Sequence, residues 1–212
     1  MASSRLVAPE LTTIKVQGLT REAFLVRGTL AAGATYGALS ATPFITNALA
    51  ADSGGDVDIL NYALTLEYIE SEFYKLAVQK VGGLSADEKK LAKELRDNEL
   101  EHVDALIATI KKLGGTPGAK PKLDFGGAFG DRATFLKTAN SFEDLGVSAY
   151  NGAGPLVENV EVLAAAGSIV QVEARHASLI RLARGKAPAP LAFDKPAEMD
   201  AVVKKVTPLI KS

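Results

Sequence analysis

Gly114-Gly115-Thr116-Pro117-Gly118-Ala119-Lys120-Pro121-Lys122-Leu123-Asp124-Phe125-Gly126-Gly127-Ala128-Phe129-Gly130 lies between two long stretches of helical periodicity. These seventeen residues hold six glycines and two prolines, so they continue neither neighbour as a helix. On the N-terminal side, apolar spacing predicts a helix over about Val57 to Val81, stopped by Gly82-Gly83. A second opens at the capping box Ser85-Ala86-Asp87-Glu88 and runs to Leu113. On the C-terminal side a third helix spans about Asp131 to Asn151 and breaks at Gly152-Ala153-Gly154-Pro155. A fourth spans about Val157 to Arg184 and stops at Gly185, and Pro196 opens a last short helix through Val206. No stretch alternates as a strand does. The first and second helices, and the third and fourth, are joined by a few residues each and must form antiparallel hairpins. A helix of about 26 residues is roughly 39 Å long. Seventeen extended residues reach at most about 56–61 Å. The linker can therefore run the length of the bundle and start the third helix at the far end. The pattern is all-α: two antiparallel hairpins joined by one long crossover, with a short C-terminal helix.

The chemistry concentrates on two repeats. Glu99-Leu100-Glu101-His102 on the second helix and Glu173-Ala174-Arg175-His176 on the fourth each set a glutamate three residues before a histidine. These are the only two histidines in the chain. Positions i and i+3 share a helix face, so one carboxylate and one imidazole can hold the same ion. Both pairs fall on apolar stripes: Leu91, Leu95, Leu106 and Ile110 flank one, and Ala166, Ile169, Ile180 and Ala183 the other. Glu67 and Glu143 lie on inward stripes of the first and third helices. Each is followed seven residues later by a tyrosine, Tyr74 and Tyr150, about two turns along the same face. The two halves thus repeat one pattern and predict a shared site on a pseudo-twofold axis. Its metal ligands would be Glu67, Glu99, His102, Glu143, Glu173 and His176. Four carboxylates balance two divalent ions, and oxygen-rich ligation with one imidazole per ion favours iron or manganese, with zinc allowed by ligand type. Tyr74 and Tyr150 are candidates to act beside the metal, against a plainer reading as packing residues with hydrogen-bonded hydroxyls. Glu70, Glu72, Glu94 and Glu101 are expected on solvated faces. Gly146 and Gly167 are expected to allow close helix packing, and Arg175 to pair near the site or reach solvent.

Composition narrows the classes. The 24 basic and 25 acidic side chains give a net charge of −1 and no electrostatic case for nucleic acid. Zero cysteines exclude disulfides, thiolate nucleophiles and sulfur-ligated metals.

Residues 1–51 read as an export signal and leader, and residues 52–212 as the folded domain. Basic residues come early, Gly28 to Ala51 is uncharged, and Ala48-Leu49-Ala50 suits signal peptidase. Thr20-Arg21-Glu22-Ala23-Phe24-Leu25 resembles the twin-arginine signal, with Glu22 where the second arginine belongs. A functioning leader implies an exported, periplasmic or envelope protein, and otherwise a cytoplasmic one. Twenty-four uncharged residues could also span a bilayer, so an uncleaved leader is the one membrane contact expected.

The residues 56–212 resemble the ferritin-like superfamily of carboxylate-bridged dimetal proteins, and more narrowly its exported, desiccation-related branch. The paired Glu-x-x-His motifs carry most of the resemblance. Leu60-Asn61-Tyr62-Ala63-Leu64-Thr65-Leu66-Glu67-Tyr68, Phe73-Tyr74, Ala149-Tyr150-Asn151-Gly152-Ala153, Val172-Glu173-Ala174-Arg175-His176-Ala177 and Ala192-Phe193-Asp194 support it. It implies a ferritin-like four-helix bundle with two iron or manganese ions, Glu99 and Glu173 as the bridging ligands and each histidine as a terminal one. The function implied is an oxidoreductase acting on dioxygen, peroxide or ferrous iron. The competing reading is a non-catalytic stress or desiccation-related protein with a structural or vestigial metal site. Iron storage needs a closed assembly of many copies, so a homo-oligomer belongs among the possible states. DNA-binding mini-ferritins fit poorly, because their metal sites form between subunits.

Overall fold

A computed structural model describes residues 55–211. The expected leader and the start of the domain at residue 52 fall outside them. Four long helices and one short one form: α1 (Asp56–Lys80), α2 (Ala86–Lys112), α3 (Arg132–Ala153), α4 (Val160–Ala183) and α5 (Met199–Val206). No helix among the described residues is long and apolar enough to cross a membrane.

Local chemistry sets most of the ends. At α2 the Ser85 hydroxyl accepts from the Glu88 backbone N–H while the Glu88 carboxylate accepts from the Ser85 N–H, completing the expected capping box. Asp131 caps α3 by accepting from the Thr134 N–H. Two starts differ from expectation. α4 begins at Val160 because Asn159 caps the N–H groups of Glu161 and Val162, and Gly154–Leu156 forms a 3-10 turn before it. α5 begins at Met199, because the Ala197 N–H is already given to the Ser148 carbonyl and the chain around it docks as extended backbone.

Gly152 does not break α3. A Cβ there would sit 1.9 Å from the Ala197 carbonyl oxygen, so the glycine lets the C-terminal segment pass against the helix backbone. Gly167, by contrast, would meet nothing within 4 Å and mediates no close packing.

The crossover is ordered by contacts along its whole length. It leaves α2 beside the start of α1, where Asn61 donates to the Thr116 carbonyl and accepts from the Gly118 N–H. Farther on Lys120 pairs with Glu72, and Lys80 lies 5.7 Å over the Phe129 ring at the other end of α1. Phe125 and Phe129 pack on the fully buried Phe73, whose ring also meets Phe135 and Phe142 of α3 at 5.6 and 4.9 Å. The chain's end stitches the other side: Leu123 bridges Ile210, Asp124 donates to Leu209, and Lys211 donates to Lys122. Arg132 then ties the start of α3 to Glu88 of α2 and to the Ala183 carbonyl of α4. At the opposite end Asp56 accepts from the N–H groups of Glu158 and Asn159. α1 and α4 therefore run one way, and α2 and α3 the other. α1 is the most enclosed helix, touched by α2, α3 and the crossover, and it buries polar as well as apolar faces.

Candidate metal centre

Each of the four long helices projects one carboxylate into the bundle. Glu67 from α1, Glu99 from α2, Glu143 from α3 and Glu173 from α4 are all 0% exposed, and His102 and His176 are buried beside them. The imidazole planes stand 6.1 Å apart between ring centroids. His102 Nδ1 lies 3.3 Å from Glu67 Oε2, 3.0 Å from Glu99 Oε2 and 3.0 Å from Glu173 Oε1. His176 Nδ1 lies 2.8 Å from Glu99 Oε1, 3.5 Å from Glu143 Oε2 and 3.9 Å from Glu173 Oε2. All six residues singled out in the sequence therefore come together, each histidine presenting Nδ1.

The donor atoms sort into two groups, each spanning less than 4.8 Å. One is Glu67, Glu99, His102 and Glu173, and the other Glu99, Glu143, Glu173 and His176. Glu99 and Glu173 belong to both. Buried polar atoms almost always find a hydrogen-bond partner. Here Glu99 Oε1, Glu143 Oε2, both Glu173 oxygens and His176 Nδ1 find none. His176 Nδ1 and Glu99 Oε1 are close but not aligned to bond. Five orphaned donor atoms facing one space fit a pair of hard or borderline cations, and no apolar substitute would satisfy them.

The tyrosines are arranged differently from their sequence spacing. Tyr74 donates to Glu143 Oε1, and Tyr150 donates to Glu67 Oε1 at 2.5 Å. Each thus reaches across to the glutamate of the other half instead of the one seven residues before it. Each takes Oε1 and leaves Oε2 toward the histidine. Burial first, then the neighbouring carboxylates, holds both phenols well above their usual range, so they stay protonated donors.

Burial and the closeness of like and unlike charges shift every acid and base of the cluster. Burial pushes Glu67 up to about 8, against the pull of His102. Burial also raises Glu143 and Glu173, with Glu67 and Glu99 adding to the rise at Glu173. Burial acts upward on Glu99 too, but contacts from both histidines outweigh it and hold that carboxyl at about 2. Burial acts downward on the imidazoles, yet carboxylate contacts raise His102 to about 12 and His176 to about 10.

Two neighbours had no signal in the sequence reading. Glu70, expected in solvent, is 4% exposed, and burial and the other four carboxylates hold it well above the usual range. A single inward stripe on α1 was too narrow a rule for a helix enclosed on several sides. Asn98, one residue before Glu99, sets its amide 3.0 Å from His176 Nε2. A cleft of about 270 Å³ between α2 and α4 reaches the site, lined by Asn98, His102 and His176 with Glu94, Glu101 and Arg175. Glu94, Glu101 and Arg175 are exposed, and Glu72 pairs with Lys75 and Lys120 at the surface.

A family model described as ferritin-like domain matches residues 55–186, more than half of the 212-residue chain. The chain belongs to the ferritin-like domain family. Comparison with curated proteins gives no match. The ferritin-like match covers all four long helices and both Glu-x-x-His motifs, and α5 lies beyond it. It does not distinguish the desiccation-related branch within the ferritin-like family.

Proposed function

We propose that the centre holds two divalent ions, iron in preference to manganese, and that the protein is an oxidoreductase towards dioxygen, peroxide or ferrous iron. The observation that carries this reading is the sharing of Glu99 and Glu173 by two ligand groups that each keep a histidine and a glutamate of their own. Glu67 and His102 would hold one ion, Glu143 and His176 the other, and Glu99 and Glu173 would lie between. Four carboxylates and two divalent ions cancel in charge, which removes the repulsion that otherwise forces protons onto the cluster. A bound pair of redox-active ions would supply Lewis acidity and electrons to a small oxidant.

The chain's own groups prepare that chemistry. Tyr74 and Tyr150 fix the outer oxygens of Glu143 and Glu67, so that their inner oxygens face the histidines. The apolar rows above and below, including Leu95, Leu64 and Ile110, keep bulk water from the carboxylates. The cleft between α2 and α4 offers a path for a molecule the size of peroxide, with Arg175 and Glu101 at its rim. Export through the leader belongs to the same reading.

Metal loading tests it. Elemental analysis should find close to two ions per chain. Iron(II) or manganese(II) at a hundredfold excess over Kd should stabilise the fold by about 2.7 kcal/mol. That raises the melting temperature by roughly 5–11 °C in a domain this size. His102→Ala and His176→Ala should each remove most of the gain, and Glu101→Ala none of it. Identical melting with and without iron, manganese and zinc would favour the structural stress protein instead. A large closed particle in solution would favour storage.

A further inference from the structure

We infer that Glu70 is a fifth carboxylate ligand of the centre, contributed by α1 across a gap that Gly146 leaves in α3. The inference rests on the two-metal reading and extends it by one residue. Glu70 stands one helical turn beyond Glu67 on the same face of α1. The matching place on α3, one turn beyond Glu143, holds Gly146. The two halves of the site therefore differ at this pair: one has an added acid, and the other has no side chain at all. The missing side chain is what makes room. A Cβ on Gly146 would lie 3.2 Å from Glu70 Oε1 and 3.6 Å from Glu70 Oε2, and 3.5 Å from Glu173 Oε2. Glu70 and Glu173 thus point into one slot.

No other described residue nearby accounts for a buried acid there. Glu70 is 4% exposed, and no hydrogen bond or ion pair to another described residue reaches its carboxylate. Both oxygens of Glu173, on the other side of the slot, accept no hydrogen bond. The crevice beside Glu70 is lined by Leu66, Ile69, Phe142, Leu145, Gly146 and Val206, and none of these carries a cation. A carboxylate is rarely buried without a partner. The partner this geometry offers is a metal ion already shared by Glu173. A carboxylate excess of one over two divalent ions would also favour a centre carrying one further positive charge.

The experiment uses the full chain, stripped of metal and titrated with manganese(II). Calorimetry follows affinity, and electron paramagnetic resonance follows the bound ion. The wild type should take two ions. Glu70→Gln keeps shape and removes charge. It should lose tenfold or more in affinity for at least one ion and change the resonance of what remains bound. Gly146→Ala should repeat the loss with Glu70 still present, by pushing its carboxylate aside, whereas Glu72→Gln on the same helix should change neither reading. Should Glu70→Gln fail to fold, Glu70→Asp keeps the acid but shortens its reach, and the same loss is expected. Wild-type affinity and resonance in the folded Glu70 variants would overturn the inference and leave a buried acid with no metal role. Absence of manganese binding in the wild type would instead bring down the two-metal reading itself.

Discussion

The hairpin of α1 and α2 and the hairpin of α3 and α4 build the same half-site from different surroundings. Glu67 and Tyr74 match Glu143 and Tyr150 at a constant offset, and Glu99 and His102 match Glu173 and His176. Around these the correspondence stops. Phe73, at the centre of an aromatic cluster, corresponds to Ala149; Glu70 corresponds to Gly146; Asn98 corresponds to Val172. The first hairpin also carries the crossover on its back, whereas α4 leaves Val160 and Leu182 exposed. The pattern is thus symmetric across the two groups of donor atoms, and free to differ elsewhere. Differences one residue from a donor are those that would make two bound ions unequal.

The largest effect should come from making α1 like α3 at the aromatic cluster. Phe73→Ala empties a site with 0% exposure and should cost about 3–5 kcal/mol, read as a lowered midpoint in chemical denaturation. It should loosen the crossover as well, seen as faster proteolysis between residues 114 and 130.

Acidity should act next, on the metal-free protein. Glu67 rises from an ordinary 4.5 to about 8, so the folded state keeps a proton that the unfolded chain has lost, and stability falls as pH climbs between these values. His102 rises from 6.5 to about 12, so its contribution is full below 6.5 and drains as pH rises toward 12. Between pH 6.5 and 8 both act in one direction, and the metal-free melting temperature should drop. Bound metal would displace those protons, so the gain on loading should grow over the same interval. A flat metal-free profile would contradict the buried cluster.

The crossed tyrosines offer a cleaner comparison. Tyr74→Phe and Tyr150→Phe each remove a hydrogen bond to a buried carboxylate, worth about 1.5–3 kcal/mol. Equal losses in thermal melts are expected if the halves are equivalent at this level. The smallest effect belongs to Asn98→Val, which copies Val172. A histidine that binds metal through Nδ1 carries its proton on Nε2, and an Asn98 amide turned to present its oxygen would accept it. Its loss should weaken one ion of the two by roughly tenfold. Two-step calorimetric titration would show an unchanged second ion.

The fold was readable because its signals are local. Ser85 and Glu88 announce a helix start, Gly82 and Gly83 a stop, and the length of residues 114–130 leaves few routes across the bundle. The six clustered residues were readable because helical periodicity places i and i+3 on one face whatever lies opposite. Partners between helices were not readable. Spacing puts Tyr74 on the face of Glu67, but only packing shows that the hydroxyl reaches Glu143 instead. Glu70 was hidden for the same reason: its burial depends on α3 having no side chain at Gly146, which no pattern within α1 records. Gly152 reads as a helix breaker until Ala197 is seen against it.

The stitch between the crossover and the last residues of the chain bears on how the molecule is made. Synthesis runs from the first helix onward at about 5–20 residues per second. Both hairpins can therefore form while the partners of Lys122, Leu123 and Asp124 are still untranslated. The crossover gains its final clasp only after Leu209, Ile210 and Lys211 are released. Until then the helices that carry the four acids are joined by Asp56, Arg132 and their apolar packing, without that clasp. The crossover's backbone clasp is thus among the last contacts of the described residues that synthesis makes possible.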